Sequence, residues 1–226
     1  MNTIKKQFYA GIAAMALLLS TQSTVTAQKG EFGLRFMPTF SNLSLNTSTG
    51  NTVKGSTTLG YGVGAFVGFN FNAHIGIQLE GIYTSITQKY EEQETNRKIN
   101  LKYFNVPLLL SLNTNKFKVF NFNIVGGPQL GVSVGSSMET TGGDGTTQTN
   151  GVLSVKKGDV GVAFGAGLDF GMNPAQTIRV GIGFRSVRGL FDISDNNATQ
   201  ATDSYYVLDR TKIKTNAVYI GASILF

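Results

Sequence analysis

Apolar residues alternate with small or polar residues through most of the chain, and this two-residue period restricts the fold more than any other feature. In the clearest segment, glycines dominate one parity and apolar side chains occupy the other: Leu59, Tyr61, Val63, Ala65, Val67, Phe69 and Phe71. A period of two is typical of β-strands, in which successive side chains point to opposite faces. Alternation of this kind predicts strands within residues 59–71, 75–84, 120–134, 160–170, 178–185 and 218–226. Two less regular stretches, residues 32–40 and the more continuously apolar residues 101–112, complete a set of eight.

The connections between these strands alternate in length. The long ones cover residues 42–57, 87–98, 135–158 and 194–211, and the short ones lie near 72–74, 113–116 and 172–176. Long loops at one end and tight turns at the other are typical of transmembrane barrels. The pattern therefore predicts an all-β fold, an eight-stranded antiparallel up-and-down transmembrane β-barrel. Pro107 interrupts the fourth strand, and we expect a bulge or local irregularity there because proline cannot donate to a strand ladder.

The residues between the apolar positions distinguish a membrane barrel from a soluble one. Only 14% of the 226 residues are charged and 28 are glycine, whereas soluble domains average about 25% charge and about 7% glycine. In a soluble barrel or sandwich the apolar face points inward and the outer face is charged. Here the second face is mostly Gly, Asn, Ser and Gln, which suits a narrow lumen. A soluble β-sandwich or lipocalin-like barrel is the alternative.

The first 27 residues have the pattern of a secretory signal peptide. Lys5 and Lys6 precede a wholly apolar run at residues 10–19, and small residues end at Ala27. Such a run is too short to span a bilayer and is typical of a cleaved signal. We therefore expect a signal peptide at residues 1–27 and a barrel domain at residues 28–226. The sequence contains no cysteine, which excludes disulfides and cysteine-based metal sites.

Several segments resemble the PorT-like outer-membrane β-barrel family of Bacteroidetes, also called the porin family. The segments that carry the resemblance are Tyr103-Phe-Asn-Val-Pro107, Gly126-Gly-Pro128 and the terminal Phe226. The resemblance implies an exported, eight-stranded barrel in the outer membrane of a Gram-negative bacterium. It implies no single activity, because members of the family include secretion-system components. The last strand resembles the C-terminal signal read by the outer-membrane assembly machinery, with Val218, Ile220, Ile224 and Phe226 on one face.

Five charged residues share the parity that faces the lumen: Arg35, Glu80, Asp169, Arg179 and Arg185. A short turn at residues 172–176 would place Asp169 opposite Arg179 across a hairpin. The interior of an eight-stranded barrel is just wide enough for side chains to fill, and buried charges there must pair. We expect these residues to form an ion-paired plug. The alternative role is a proton or ion path, or a gate.

No other group of residues in the sequence predicts a catalytic, cofactor-binding or metal site. His74 is the sole histidine and falls in a short turn, whereas hydrolytic or metal sites need further partners. Asp192, Ser194, Asn196 and Asp203 loosely match the spacing of a calcium loop, but Asn197 stands where glycine is required. We expect no catalytic, cofactor-binding or metal site.

The predicted function is a non-enzymatic structural or surface-interaction role. A narrow porin and a secretion-system component are the alternatives. As partners we expect outer-membrane lipid, lipopolysaccharide, the assembly machinery and a surface or secretion partner, for a monomer that binds no nucleic acid.

Overall fold

A computed structural model describes the chain at residues 30–41, 44–46, 52–54, 58–92, 95–141, 147–151, 157–191 and 214–226. The expected signal peptide, residues 1–27, lies outside the described residues. Within the described part of the chain, no helix is long and apolar enough to cross a membrane.

Eight long strands build the fold, and three short strands accompany them. In chain order they are β1 (Gly30–Ser41), β2 (Ser44–Asn46), β3 (Thr52–Lys54), β4 (Thr58–Asn70), β5 (Ile75–Glu92), β6 (Thr95–Asn113), β7 (Phe120–Thr141), β8 (Thr147–Gly151), β9 (Gly158–Gly171), β10 (Ile178–Gly189) and β11 (Lys214–Leu225). The long strands pair antiparallel in the order β1, β4, β5, β6, β7, β9, β10 and β11, and β11 returns to β1. The predicted closed barrel of eight antiparallel strands is confirmed.

The barrel has its apolar face on the outside. Large apolar side chains of every barrel strand are exposed, for example Leu34, Val63 and Leu130, and the residues between them are mostly buried. In the strands for which the sequence predicted an alternation, the predicted parity is the parity observed. An outer surface of this kind requires a hydrocarbon environment, which is how barrels meet lipid.

Two glycines leave room in the lumen for one aromatic ring. Tyr219 of β11 is buried, and its ring lies against Gly167 of β9 and Gly183 of β10. A Cβ atom on Gly183 would lie 2.5 Å from the ring carbon Cζ of Tyr219 and 2.5 Å from the carbonyl oxygen of Ala166. The glycine-rich face is therefore what lets large side chains lie across so narrow an interior.

The strands extend further than the sequence predicted at the end that carries the long connections. β5 continues to Glu92 and β6 begins at Thr95, so most of the loop expected at residues 87–98 is a hairpin with regular pairing. β7 likewise continues to Thr141 and pairs with β8, inside the loop expected at residues 135–158. The prediction was wrong here because a polar hairpin outside the membrane lacks the apolar alternation that identified the other strands.

The irregularity expected at Pro107 divides into two features. The bulge lies between Lys102 and Tyr103, whereas the register of β6 on β7 is unchanged from Tyr103 to Leu110. At Pro107 the pairing with β5 is interrupted between Asn105 and Leu108 without a change of register. A proline in the closed sheet therefore removes ladder contacts locally, and the extra residue is accommodated nearer the end of the barrel.

An ion-paired lumen as the candidate functional site

One carboxylate binds two guanidinium groups in the middle of the lumen. Glu80 of β5 accepts two hydrogen bonds from Arg185 of β10, with Arg185 Nη1 at 3.0 Å from Oε2 and Nη2 at 3.1 Å from Oε1. Arg35 of β1 also donates to Glu80 Oε1, and Gln78 Nε2 lies 2.8 Å from the same oxygen. Glu80 and Arg185 are each only 2% exposed. We call Arg35, Glu80 and Arg185 the Glu80 cluster.

Aromatic rings pack against the Glu80 cluster. The guanidinium carbon of Arg35 lies 4.3 Å from the ring centre of Phe66 and 4.7 Å from that of Tyr219. The guanidinium carbon of Arg185 lies 6.0 Å from the Tyr219 ring centre. Cations over ring faces gain electrostatic stabilisation, and the gain is largest where water is excluded. The two arginines, their shared carboxylate and two rings therefore connect β5 to β10 and β1 across the lumen.

A second ion-paired group fills the lumen at the end with the short turns. Lys116, from the turn between β6 and β7, places Nζ 3.0 Å from Glu31 Oε1 and 3.1 Å from Asp169 Oδ2. We call Lys116, Glu31 and Asp169 the Lys116 cluster. Burial lowers the pKa of Lys116, but the two carboxylates outweigh burial, and its pKa lies above the usual value. Lys116 is therefore a fixed positive charge at neutral pH.

Neutral side chains complete the Lys116 cluster. Asn121 and Asn123 of β7 donate to Asp169 Oδ2 over 3.0 and 3.1 Å, and Ser223 of β11 donates to Glu31 Oε1 over 2.9 Å. Hydrogen bonds of this kind compensate the desolvation of buried carboxylates. Both carboxylates of the Lys116 cluster thus have at least two partners each, which come from the turn between β6 and β7, from β7 and from β11.

The prediction that Asp169 lies opposite Arg179 is wrong by two residues of register. Asp169 is opposite Gly181, and Arg179 is opposite Gly171. The turn is displaced by one residue because Asn173 organises it: Asn173 Oδ1 accepts from the Ile178 N–H, and Met172 N–H donates to the Ile178 carbonyl oxygen. A displacement of two residues keeps the parity, so Arg179 still faces the lumen.

Arg179 therefore binds backbone rather than the Asp169 carboxylate. Its Nη1 donates to the carbonyl oxygen of Lys118 over 3.0 Å, and its Nη2 donates to the carbonyl oxygen of Asp169 over 3.3 Å. These contacts tie β10 to the turn between β6 and β7. Arg179 holds the short-turn end together without neutralising a carboxylate directly.

Of the five predicted lumen charges, the structure brings three together at Glu80 and places two near Lys116. Glu31 and Lys116 were not among the predicted lumen charges. Glu31 could have been found, because it has the same parity in β1 as Arg35. Lys116 lies in a turn, where no period indicates which way a side chain points.

Little empty space is left around these clusters. One cavity of about 20 Å³ borders both clusters, and another of about 40 Å³ lies between the Glu80 cluster and the end with the long connections. One water molecule needs roughly 10–15 Å³ measured in this way. By this measure the smaller cavity has room for one or two water-sized groups and the larger for about three, and among the described residues neither opens a path past the ion pairs.

The other residues considered in the sequence lie at the surface or outside the described residues. His74 is exposed in the turn between β4 and β5, with Nδ1 at 3.2 Å from the carbonyl oxygen of Asn113. The segment with the loose calcium-loop spacing, 192–203, lies outside the described residues. Among the residues that the structure describes, no group of three or more His, Cys, Asp or Glu side chains could hold a metal ion.

The last strand presents its predicted signal residues on the outer face. The exposed side chains are Val218, Ile220, Ile224 and Phe226. Gly30 and Phe226 exchange two backbone hydrogen bonds of 2.8 and 2.9 Å, which close the barrel where its first and last strands meet. Recognition of these residues by the assembly machinery stays a prediction.

A closed barrel with an apolar exterior, a polar interior and short turns at one end defines the class of outer-membrane β-barrels. The family model described as "Outer membrane protein beta-barrel domain" matches residues 26–195. This protein belongs to that family, and it is an outer-membrane protein. The comparison with curated proteins finds no match.

Solved structures with the same fold come from several outer-membrane proteins. OprG from Pseudomonas aeruginosa is 18% identical with a TM-score of 0.52, over 88% of this chain and 99% of that chain. AlkL in lipid bilayers is 13% identical with a TM-score of 0.52, over 91% of this chain and 94% of that chain. Ail from Yersinia pestis is 16% identical with a TM-score of 0.41, over 87% of this chain and 99% of that chain. At these identities the likeness to OprG and AlkL shows similarity of fold alone.

Proposed function

We propose that this protein is a closed, non-enzymatic outer-membrane barrel that presents its long connecting segments to lipopolysaccharide or to a partner at the cell surface. The observation that carries the proposal is the filling of the lumen at two levels, by the Glu80 cluster and by the Lys116 cluster. Because each level spans the interior, solute has no continuous path. The interacting surface is then the end of the barrel rather than its lumen.

The unequal lengths of the connections at the two ends of the barrel support an orientation in which the long connections face the outside of the cell. Barrels of the outer membrane have short periplasmic turns and longer extracellular loops. The connections at 71–74, 114–119 and 172–177 are short, whereas residues 42–57, 142–157 and 190–213 join strands at the other end. The long segments are rich in Thr, Asn and Gly. Loops on a rigid scaffold are where binding residues concentrate.

Two finer assignments belong to the same proposal. The Tyr103-Phe-Asn-Val-Pro107 strand and the terminal Phe226 support a place in the PorT-like branch of Bacteroidetes barrels, within a Gram-negative outer membrane. Residues 1–27 support export by a cleaved signal peptide. Folding as a monomer is consistent with a barrel whose strands all pair within one chain.

A planar-bilayer recording tests whether the lumen is closed. We expect the reconstituted wild-type protein to give no unitary conductance steps, because both charge clusters block the path. The protein is added to the bilayer from reconstituted vesicles. A sample of the same vesicles is checked for folded protein by its mobility shift on boiling. Steady unitary steps in the wild type, altered in Asp169→Asn, would contradict a closed barrel and support the narrow-porin alternative.

The surface role is tested by shortening one long segment. A variant in which residues 192–211 are replaced by Asn-Gly keeps all eight barrel strands. We expect it to fold and to lose retention on immobilised lipopolysaccharide or on its surface partner. Retention unchanged in this variant, together with co-purification of secretion proteins from outer membranes, would support the secretion-component alternative instead.

A further inference from the structure

The cavity on the long-connection side of the Glu80 cluster has polar walls with unused hydrogen-bonding capacity. Oxygen-bearing side chains line it from several strands, among them Asp159, Tyr103 and Gln129, and the apolar side chains of Ile82 and Val187 complete it. Its volume is about 40 Å³. No feature of the closed-barrel function uses this space.

Two buried polar atoms at this cavity make no hydrogen bond within 3.5 Å, although Ser133 lies near the Tyr103 hydroxyl group. They are Asp159 Oδ1 and the hydroxyl oxygen of Tyr103. Asp159 is 7% exposed and Tyr103 is 2% exposed, so solvent at the surface does not satisfy them. A buried carboxylate is costly unless a cation or several donors compensate it. Two such atoms lining one cavity indicate a site built for an additional group.

The ion pairs among the described residues leave the Asp159 charge without a partner. Arg185 also lines the cavity, but both of its Nη atoms donate to Glu80. The Glu80 cluster contains two arginines and one glutamate, which leaves it a net single positive charge. This neighbouring charge opposes a divalent ion beside a single carboxylate.

We propose that this cavity binds one compact monovalent cation, held by the Asp159 carboxylate and the Tyr103 hydroxyl oxygen. Oxygen ligands of this kind suit hard cations and ammonium groups. The volume accommodates about three water-sized groups, which fits a small cation with one or two waters and excludes bulky organic cations. Arg185, whose Nε also has no partner, lines the same cavity.

Either of two sources supplies this chemistry: an alkali-metal ion or the ammonium group of a small amine. Thermal unfolding of the folded protein in detergent micelles distinguishes them. The starting buffer contains only the bulky cation N-methylglucamine, and Na⁺, K⁺, NH₄⁺ or methylammonium replaces it at constant ionic strength. We expect a saturable rise in Tm with at least one of the four, and the cation that acts at the lowest concentration identifies the source.

Two variants test whether the rise in Tm comes from cation binding at Asp159 and Tyr103. Asp159→Asn removes the charge, and we expect it to abolish the saturable rise. Tyr103→Phe keeps the charge and removes one oxygen, so the half-saturating concentration rises by roughly three- to tenfold. If Asp159→Asn does not fold, the response of Tyr103→Phe shows whether the cation binds at this cavity.

Asp169→Asn is the matched control, because it removes a lumen carboxylate that already has Lys116 as its partner. This control is expected to retain the full cation response. The proposal is overturned if none of the four cations gives a saturable rise in the wild type. It is also overturned if Asp159→Asn, or Tyr103→Phe where Asp159→Asn does not fold, responds as the wild type does. Either result leaves the closed-barrel function untouched.

Discussion

Replacing Glu80 by Gln lowers the free energy of unfolding by about 3–5 kcal/mol, the range for breaking a buried ion pair from one side. The carboxylate of Glu80 is the shared partner of Arg35 and Arg185. Its loss leaves two guanidinium charges facing each other in a water-poor interior. Glutamine keeps the size of the side chain, so packing against Gln78 changes little and the effect reports the charge.

Urea unfolding in lipid vesicles measures this loss, with tyrosine fluorescence as the signal because the chain has no tryptophan. The matched control is the double variant Glu80→Gln with Arg185→Gln, which removes one of the two unpaired cations. We expect the double variant to be more stable than Glu80→Gln alone. A single variant within about 1 kcal/mol of the wild type, as for exposed ion pairs, would show that the Glu80 cluster is hydrated rather than buried.

Replacing Ile182 by Arg on the outer face is also expected to lower the free energy of unfolding. Ile182 lies near the middle of β10, pairs with Ile220 and Leu168, and is 48% exposed. Arginine at the bilayer midplane of a barrel costs about 2–4 kcal/mol, and near the interface about 0–1 kcal/mol. We expect the larger value for Ile182→Arg, because the surrounding medium is hydrocarbon.

The control for Ile182→Arg is Met172→Arg, at an exposed apolar side chain beside the short turn. Urea unfolding in vesicles should give a small loss for Met172→Arg and a large one for Ile182→Arg. Equal, near-zero losses would mean that water surrounds the outer face at both positions, and the membrane orientation of the barrel would then be wrong.

The sequence predicts the barrel well because one physical rule governs every spanning strand. Lipid on one side and a narrow lumen on the other impose a two-residue period, and Leu34 and Arg35 already obey it next to each other in β1. The same rule fails where the strands leave the membrane. Residues 87–92 of β5 are nearly all polar, so their regular pairing with β6 leaves no apolar alternation in the sequence.

The candidate site could be predicted only in part. Parity specifies which face of the sheet a side chain lies on, but not its position along the barrel axis or its partner. Parity placed Arg35, Glu80 and Arg185 in the lumen, but their convergence depends on the closure of the sheet. Arg179 shows the same limit in a hairpin: the conformation of the turn at Asn173 moved its pairing by two residues. Lys116 lies outside any strand, and only the folded turn brings it to Glu31.

Electrophoresis with and without boiling measures whether this chain forms a closed barrel in the outer membrane. Protein extracted with detergent from the outer-membrane fraction should migrate as a compact form when unheated. Boiling should shift all of it to the mobility of the unfolded chain, because the closed hydrogen-bonded sheet resists dodecyl sulfate until heated. A protein that is soluble without detergent and has the same mobility before and after boiling would show that the chain does not form such a barrel.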